Sequence, residues 1–249
     1  MSFTVTDFGY AKSCFLLNIN STMILSDAQK GICEQVVIAF ESALAGRRYG
    51  TVTTTDDGPH QVWQISYGRA RSAEYGNLGE LLTMYVNSNG LYSNEIKEFL
   101  SGIGDVPLAN NAAFIRLLQD AGANDPLMQK VQDQFFNWQY FKPAMRWMDA
   151  NGFVLPLTAL IIYDSFVQSG NVFKFLRKRL QEKLPCLGGN EKRWITQFVE
   201  ARYNWLINNG SDHLQKDIYR TTVFRNEIAR KNWMLNLSPS LVCETENIS

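Results

Sequence analysis

Three carboxylates stand in a stretch of the chain that is otherwise free of acidic groups. Glu41, Asp56 and Asp57 are the only acidic residues between Glu34 and Glu74. A glutamate followed by a carboxylate on a nearby loop or strand is a common way for a glycosidase to supply its acid and its base. The pattern therefore suggests acid–base hydrolysis, provided that the surrounding elements can position these groups.

Glu41 is predicted to lie on a helix over about residues 27–45, which Ser26-Asp27 would cap. Its neighbours three and four positions away are all apolar: Val37, Ile38, Leu44 and Ala45. Because such neighbours flank it on the helix surface, the carboxyl would be partly desolvated. Desolvation raises the pKa of a carboxyl and keeps it protonated near neutral pH, as a general acid requires. The alternative is a glutamate at the edge of an amphipathic helix that reaches water.

Asp56 and Asp57 follow three threonines and precede Gly58-Pro59. Asp-Gly is a common turn pair, so a purely structural turn is the alternative interpretation. Functionally, one of the two could activate a water molecule, and the Ser66 hydroxyl could help to position that water. Adjacent residues in an extended segment point to opposite sides, so the choice between the aspartates stays open.

A fourth carboxylate lies far along the chain, in the apolar run Leu155–Val167. Asp164 is costly to bury there unless a cation neutralises it. Arg202 and Arg225 both stand among apolar neighbours on predicted helices, so one or both are expected to pair with Asp164. Such a network could hold Glu41 in place, or it could be a structural ion pair without a catalytic part.

Aromatic residues are plentiful, and core packing is the usual fate of such side chains. Sugar rings also stack on aromatic faces. We single out Tyr49, Tyr67 and Tyr75 as candidates for sugar binding, because they lie in the same stretch as the first three carboxylates.

Composition and cysteine usage exclude several function classes. The chain has 249 residues with 24 basic and 24 acidic side chains, so it lacks the basic excess that nucleic-acid binding needs. The four cysteines are scattered along the chain: Cys14, Cys33, Cys186 and Cys243. With only two histidines, no zinc site is expected, and no other metal or cofactor is predicted. Buried free thiols are the expectation for the cysteines, although disulfides stay possible.

The first residues do not resemble a classical signal peptide. They lack a basic segment, and the apolar run Cys14–Ile19 is too short for a signal-peptide core or a membrane span. We expect delivery to the periplasm or the extracellular space by a non-classical route.

The pattern along the chain predicts an α+β fold that is mainly α. Residues 1–26 are interpreted as an N-terminal arm or linker and residues 27–249 as one domain. Short strands are expected within 49–67, and eight helices are expected beyond them, near 77–88, 92–101, 110–121, 125–148, 154–168, 171–183, 190–208 and 219–230. The long helix near 125–148 would join two lobes that have a cleft between them. The fold would also contain a small β-sheet.

The order and spacing of several short motifs resemble the chitosanases of glycoside hydrolase family 46, within the lysozyme-like superfamily. The matching segments, over about residues 28–240, are Glu41 on its helix, Asp57-Gly58, Ile65–Gly68, Gly76–Leu78, Gln132-Asp133, Tyr140–Ala144, Ile162–Asp164, Phe198–Arg202, Arg225 and Asn232–Asn236. The resemblance implies a lysozyme-like fold of two mostly helical lobes. It also implies inverting endo-hydrolysis of a β-1,4-linked amino-sugar chain.

The resemblance also implies roles for individual residues. Glu41 would be the general acid, and Asp57 the general base with Asp56 as its rival. Ser66 would help to hold the attacking water. The supporting network for Glu41 would consist of Asp164, Arg202 and Arg225. Contacts with the substrate are expected from six residues of the same stretch: Tyr49, Tyr67, Gly68, Arg69, Tyr75 and Asn77.

Some features depart from the chitosanase pattern. The loop between Asp57 and Ser66 looks longer, and Arg47-Arg48 suits a polycationic substrate poorly. The motifs look closer to relatives attached to bacterial secretion machines, which attack peptidoglycan. Peptidoglycan cleavage of the muramidase type therefore ranks slightly above chitosan cleavage, with an immunity protein or a secretion carrier as a possible partner. A non-catalytic glycan-binding protein and a transglycosylase are the further alternatives.

Overall fold

The computed structural model describes residues 25–42, 49–69, 71–208 and 217–240. Helices dominate, and one small sheet lies near the start of the described part. The helices are α1 (Asp27–Ser42), α2 (Leu78–Asn87), α3 (Ser93–Lys97), α4 (Ala112–Asn124), α5 (Pro126–Phe136), α6 (Lys142–Asn151), α7 (Pro156–Ser169), α8 (Lys174–Arg177), α9 (Glu191–Asn208) and α10 (Ile218–Ala229). The strands are β1 (Val52–Thr55), β2 (Gln64–Tyr67) and β3 (Ser72–Ala73). The architecture is the predicted one, mainly α with a small β-sheet.

The chain divides into two compact units. The sheet unit is Glu41–Gln139, and the helical unit combines Met1–Phe40 with Tyr140–Ser249. One boundary falls inside α1 and the other inside the helical run that comprises α5, a π-helical turn at Asn137–Phe141 and α6. No helix among the described residues combines the length and the apolar character that a membrane span needs.

In the sheet unit, the three strands form an antiparallel sheet in the order β1-β2-β3. Thr53 pairs with Ser66, and Thr55 pairs with Gln64. Because side chains alternate along a strand, these four residues share one face of the sheet. The opposite face carries Ile65 and Tyr67 into a core built with α2, α4 and α5. The sheet thus separates a buried apolar face from a polar face that carries the residues of interest.

In the helical unit, α7 is buried on every side. All residues from Pro156 to Phe166 are buried, which explains why this run is apolar almost without interruption. Helix α7 packs against α6, and α9 packs against α10. The Phe40 ring of α1 contacts Tyr219 and Phe224 of α10 edge-on, so the end of α1 is anchored in the same unit.

The predicted start of α1 is confirmed. The backbone amide of Gln29 donates to the Ser26 hydroxyl at 3.2 Å, and the side-chain oxygen of Gln29 accepts from the backbone amide of Ser26 at 3.0 Å. This reciprocal pair satisfies helix N–H groups that would otherwise lack partners. The predicted arm lies outside the described residues up to position 24, as does the predicted helix end beyond Ser42.

The prediction of one regular helix over 125–148 is wrong in detail. The run contains a π-helical turn at Asn137–Phe141 before α6 begins at Lys142. Pro143 stands in the first turn of α6 and has no N–H to donate to the carbonyl four residues earlier. A wider turn at this point accommodates the missing bond.

The predicted helix over 171–183 is also wrong, because only Lys174–Arg177 is α-helical. Beyond it, the amides of Gln181 and Glu182 both donate to the side-chain oxygen of Gln197, at 2.9 Å each. These amides are therefore bound by a neighbouring helix instead of by their own turn.

Free thiols are confirmed for Cys33 only, which is buried. Cys186 is disulfide-bonded, and its partner lies outside the described residues. The expectation of a free thiol is therefore wrong at Cys186. Scattered cysteines cannot be paired from sequence, because a disulfide depends on distances that only the fold sets.

Candidate active site

Glu41 is the last but one residue of α1, and its side chain is half-buried. The residue before it, Phe40, is fully buried. The Tyr219 hydroxyl donates to the Phe40 carbonyl at 2.5 Å, which gives a partner to one of the last carbonyls of the helix. The helix end that carries Glu41 is therefore fixed by both packing and a hydrogen bond.

Asp164 is completely buried on α7 and is neutralised by two arginines. Its Oδ2 lies 2.9 Å from Arg202 Nη1, and its Oδ1 lies 2.9 Å from Arg220 Nη1. Arg202 also donates to the Ser165 hydroxyl at 3.3 Å. The predicted pairing of Asp164 with Arg202 is confirmed. Two cations around one buried carboxylate offset the cost of removing it from water.

The predicted place of Arg225 in this network is wrong, and Arg220 occupies it. Arg225 pairs instead with Glu200 at 2.7 Å and stacks over the Tyr203 ring at 4.3 Å, with 40% of its side chain exposed. Residues five apart on a helix point in different directions, so Arg220 and Arg225 cannot share one partner. The sequence could have indicated Arg220 as the partner, because it stands three and four positions before the apolar pair Val223-Phe224. Residues at this spacing lie on the same face of a helix.

Arg220 also reaches the end of α1. Its guanidinium carbon lies 5.5 Å from the centre of the Phe40 ring and 5.9 Å from that of Tyr219. The pair of Asp164 and Arg220 is therefore packed against the residue that precedes Glu41. A supporting role of this network for Glu41 stays a prediction.

Asp57 lies just beyond β1, exposed to solvent and held by two donors. Thr55 Oγ1 donates to its Oδ1 at 2.5 Å, and Gln64 Nε2 donates to the same oxygen at 2.9 Å. These hydrogen bonds lower the pKa of Asp57, and the positive charge of Arg71 adds to the effect. Asp56 is exposed and has no hydrogen bond or ion pair with any described residue. The structure thus distinguishes two aspartates that the sequence could not.

Other predicted site residues gather around Asp57. Ser66 is almost fully buried and lies on the same face of the sheet as Gln64, two residues along β2. The side-chain oxygen of Gln64 accepts from the Tyr75 amide at 3.3 Å. The Tyr75 ring packs beside Gly58, the residue after Asp57. Gln64 was not predicted, although its place two residues before Ser66 on a strand could have indicated it.

A second group of predicted residues is tied to α5. The Tyr49 hydroxyl lies 3.1 Å from both carboxylate oxygens of Asp133, and Arg69 forms an ion pair with the same carboxylate. Burial, followed by the negative charge of Asp133, raises the pKa of Tyr49. The Arg69 amide donates to Gln132 at 2.9 Å, and Gln132 donates to the Tyr49 carbonyl at 2.9 Å. The Tyr49 hydroxyl and one Arg69 guanidinium nitrogen thus share the Asp133 carboxylate as their protein partner.

The glycine between Tyr67 and Arg69 belongs to the same group. Gly68 has a φ of +70°, and a Cβ at this position would overlap the side-chain amide of Gln132. Its N–H donates to the Thr51 carbonyl at 2.8 Å. Close packing against Gln132 is therefore a sufficient reason for glycine here.

The prediction that Tyr67 contacts substrate is wrong. Its side chain is fully buried in the core of the sheet unit, because Tyr67 lies one residue from Ser66 and faces the opposite side of the sheet. Burial raises the pKa of its hydroxyl far above the ordinary value. Asn77 is half-buried just before α2, where its carbonyl accepts from the Leu81 amide at 3.1 Å. Its contact with substrate stays a prediction.

Comparison with known proteins points to one family. The model of glycosyl hydrolase family 46 matches residues 35–239. A chitosanase from Bacillus subtilis (strain 168) is 28% identical over 233 residues, which cover 87% of this chain and 82% of that protein.

Solved structures share the fold. The native chitosanase from Bacillus subtilis MY002 has a TM-score of 0.68 at 24% identity, over 86% of this chain and 94% of that one. A family 46 chitosanase from Gynuella sunshinyii, solved in complex with chitotetraose, has a TM-score of 0.69 at 22% identity, over 86% and 93%. The lysozyme-like fold expected from the sequence is thereby confirmed.

Proposed function

Since the chain belongs to glycosyl hydrolase family 46, we propose that it cleaves chitosan, a β-1,4-linked glucosamine polymer. The proposed cleavage takes place at internal linkages of the polymer and inverts the configuration at the anomeric carbon. That it is an endo-acting glycoside hydrolase follows from the family. The substrate, the stereochemistry and the catalytic residues are proposals. The relative from Bacillus subtilis (strain 168) is a chitosanase, which supports chitosan over the peptidoglycan that the sequence had ranked first.

The observation that carries the proposal is the setting of Asp57. An exposed carboxylate with two hydrogen-bond donors and a lowered pKa stays ionised under mildly acidic conditions. A general base must be ionised to accept a proton from water. Asp56 has no comparable donors among the described residues, so Asp57 is the base in our account.

The proposed reaction needs one proton donor and one proton acceptor. Glu41, in its protonated form, gives a proton to the glycosidic oxygen while the bond from that oxygen to the anomeric carbon breaks. Asp57 accepts a proton from water as the water oxygen bonds to the anomeric carbon from the opposite face. The β-linkage thus yields an α-product. Ser66, on the same face of the sheet as Gln64, would orient the water.

Peptidoglycan is the second candidate, and one observation favours it. The positive charge of Arg71 acts on Asp57. A cation beside the base repels the ammonium groups of chitosan and attracts the carboxylates of peptidoglycan. Parallel assays with chitosan and with purified sacculi decide between the two substrates.

The catalytic assignment is tested by three variants, in each of which one carboxylate is replaced by the corresponding amide. We expect Glu41→Gln and Asp57→Asn to lose roughly 10²–10⁴-fold in turnover, the usual contribution of an acid or a base. Asp56→Asn is the matched control and should keep its activity. Full activity in Glu41→Gln, with the protein folded, would contradict the proposal. Binding of chitosan without turnover by the unmodified chain would favour the non-catalytic alternative.

We also propose that the protein acts outside the reducing cytosol. The disulfide at Cys186 supports this, because disulfides persist in oxidising compartments. Thiol titration of protein recovered from its natural source should find the Cys186 disulfide intact. Recovery of the reduced form would argue against export.

A further inference from the structure

The hairpin loop beside Asp57 carries an aromatic side chain with no assigned task. Thr55 pairs with Gln64, so residues 56–63 form the connection between β1 and β2. Trp63 ends this connection, directly before Gln64, and 55% of it is exposed. Trp63 therefore directly precedes, in the chain, the residue that donates to the Asp57 carboxylate.

Trp63 differs from the other tryptophans in the described part of the chain. Trp138, Trp147, Trp194 and Trp205 each contact another aromatic ring, and Trp233 lies under the ammonium group of Lys192 at 5.3 Å. Trp63 has no such partner among the described residues. Its ring is therefore available to a ligand in a way that the other five are not.

The loop that presents Trp63 is ordered by its own hydrogen bonds. The Gly58 amide donates to the Val62 carbonyl at 3.1 Å, and the Val62 amide donates to the Pro59 carbonyl at 3.2 Å. His60 and Gln61 have φ values of 57° and 62°, a conformation that residues other than glycine rarely adopt. Such backbone persists where the surroundings enforce it, and it is found preferentially at binding and catalytic sites. A loop ordered in advance loses little entropy when it binds.

We propose that Trp63 is a stacking platform for one glucosamine ring of the substrate, next to the water-activating side of the site. This inference rests on the proposed function. The faces of a β-linked glucosamine ring carry only C–H groups, which pack on the flat indole. Its ammonium group is also attracted to the electron-rich indole face.

Binding without turnover tests the platform. In the Glu41→Gln background, we would titrate the protein with chitohexaose by calorimetry. Trp63→Ala should weaken binding about two- to tenfold, the usual effect of one aromatic contact, and Trp63→Phe should keep most of the affinity. Trp138→Ala is the matched control, since Trp138 is 53% exposed in the same unit, and it should bind like the parent. Equal binding by Trp63→Ala, or an equal loss in Trp138→Ala, would overturn the proposal.

The outcomes separate this proposal from the proposed function. In the active chain, Trp63→Ala should raise KM two- to tenfold with little change in kcat. If the unmodified chain hydrolyses chitosan and Trp63→Ala matches it in both constants, only the platform is overturned. If hydrolysis is absent while binding still depends on Trp63, only the catalytic function is overturned. No binding of chitohexaose would overturn both.

Discussion

The side-chain amide of Gln64 donates to the Asp57 carboxylate at 2.9 Å, and it does so from the residue that pairs with Thr55 across the hairpin. Both donors to Asp57 thus come from one pair of residues in the sheet. The register of β1 and β2 fixes their positions, so the ionisation of the proposed base depends on strand pairing.

This relationship predicts the pH dependence of activity. Replacing Gln64 by Leu removes one donor, so the pKa of Asp57 should rise towards its ordinary value. Because the base works only when ionised, the acidic limb of the kcat/KM profile should move to higher pH. The same profile for Gln129→Leu, whose amide donates to the Gly122 carbonyl instead, should stay in place. A Gln64→Leu profile that coincides with that of the parent would show that this bond does not tune the base.

The buried ion pairs predict a stability difference between two arginines of α10. Arg220→Ala leaves Asp164 buried with one partner fewer and should cost about 3–5 kcal/mol of unfolding free energy. Arg225→Ala removes a half-exposed pair with Glu200 and should cost about 0–1 kcal/mol. Urea denaturation of the two variants measures both values. Equal losses would mean that Asp164 does not depend on Arg220.

The same two arginines show what the sequence could and could not establish. An aspartate in an apolar run demands a cation, and that argument correctly found Asp164 and Arg202. It selected Arg225 as the second arginine, although Arg220 is the actual partner. Both arginines stand next to apolar residues in the sequence, and only their directions around the helix axis distinguish them. The prediction that Tyr67 contacts substrate is wrong for a related reason. A shift of one residue along a strand moves a side chain from the open face of the sheet to the core.

Other features depend on distances that no local pattern contains. The disulfide at Cys186 requires two distant segments to meet, and the end of α8 depends on a side chain from α9. The importance of Gln64 also follows only from the register of β1 and β2. By contrast, the cap at Ser26 and the small sheet beside the helices follow from local chemistry, and both were predicted correctly.

The packing around Gly68 predicts a second stability difference. Gly68→Ala must accommodate a Cβ against the Gln132 amide as well as an unfavourable φ, and it should cost about 2–4 kcal/mol. Gly170 has a nearly identical φ of +69°, but a Cβ there meets no atom within 4 Å, so Gly170→Ala should cost only about 1 kcal/mol. Thermal or urea unfolding of both variants tests this. A loss in Gly68→Ala no larger than in Gly170→Ala would remove the argument for close packing.

The most direct test of the catalytic account is the anomeric form of the first product. Proton NMR during hydrolysis of chitohexaose by the unmodified chain distinguishes the α and β forms before they interconvert. Our account, with Glu41 as acid and Asp57 as base, predicts that the α-anomer accumulates first. Initial release of the β-anomer, or of an anhydro sugar, would contradict it.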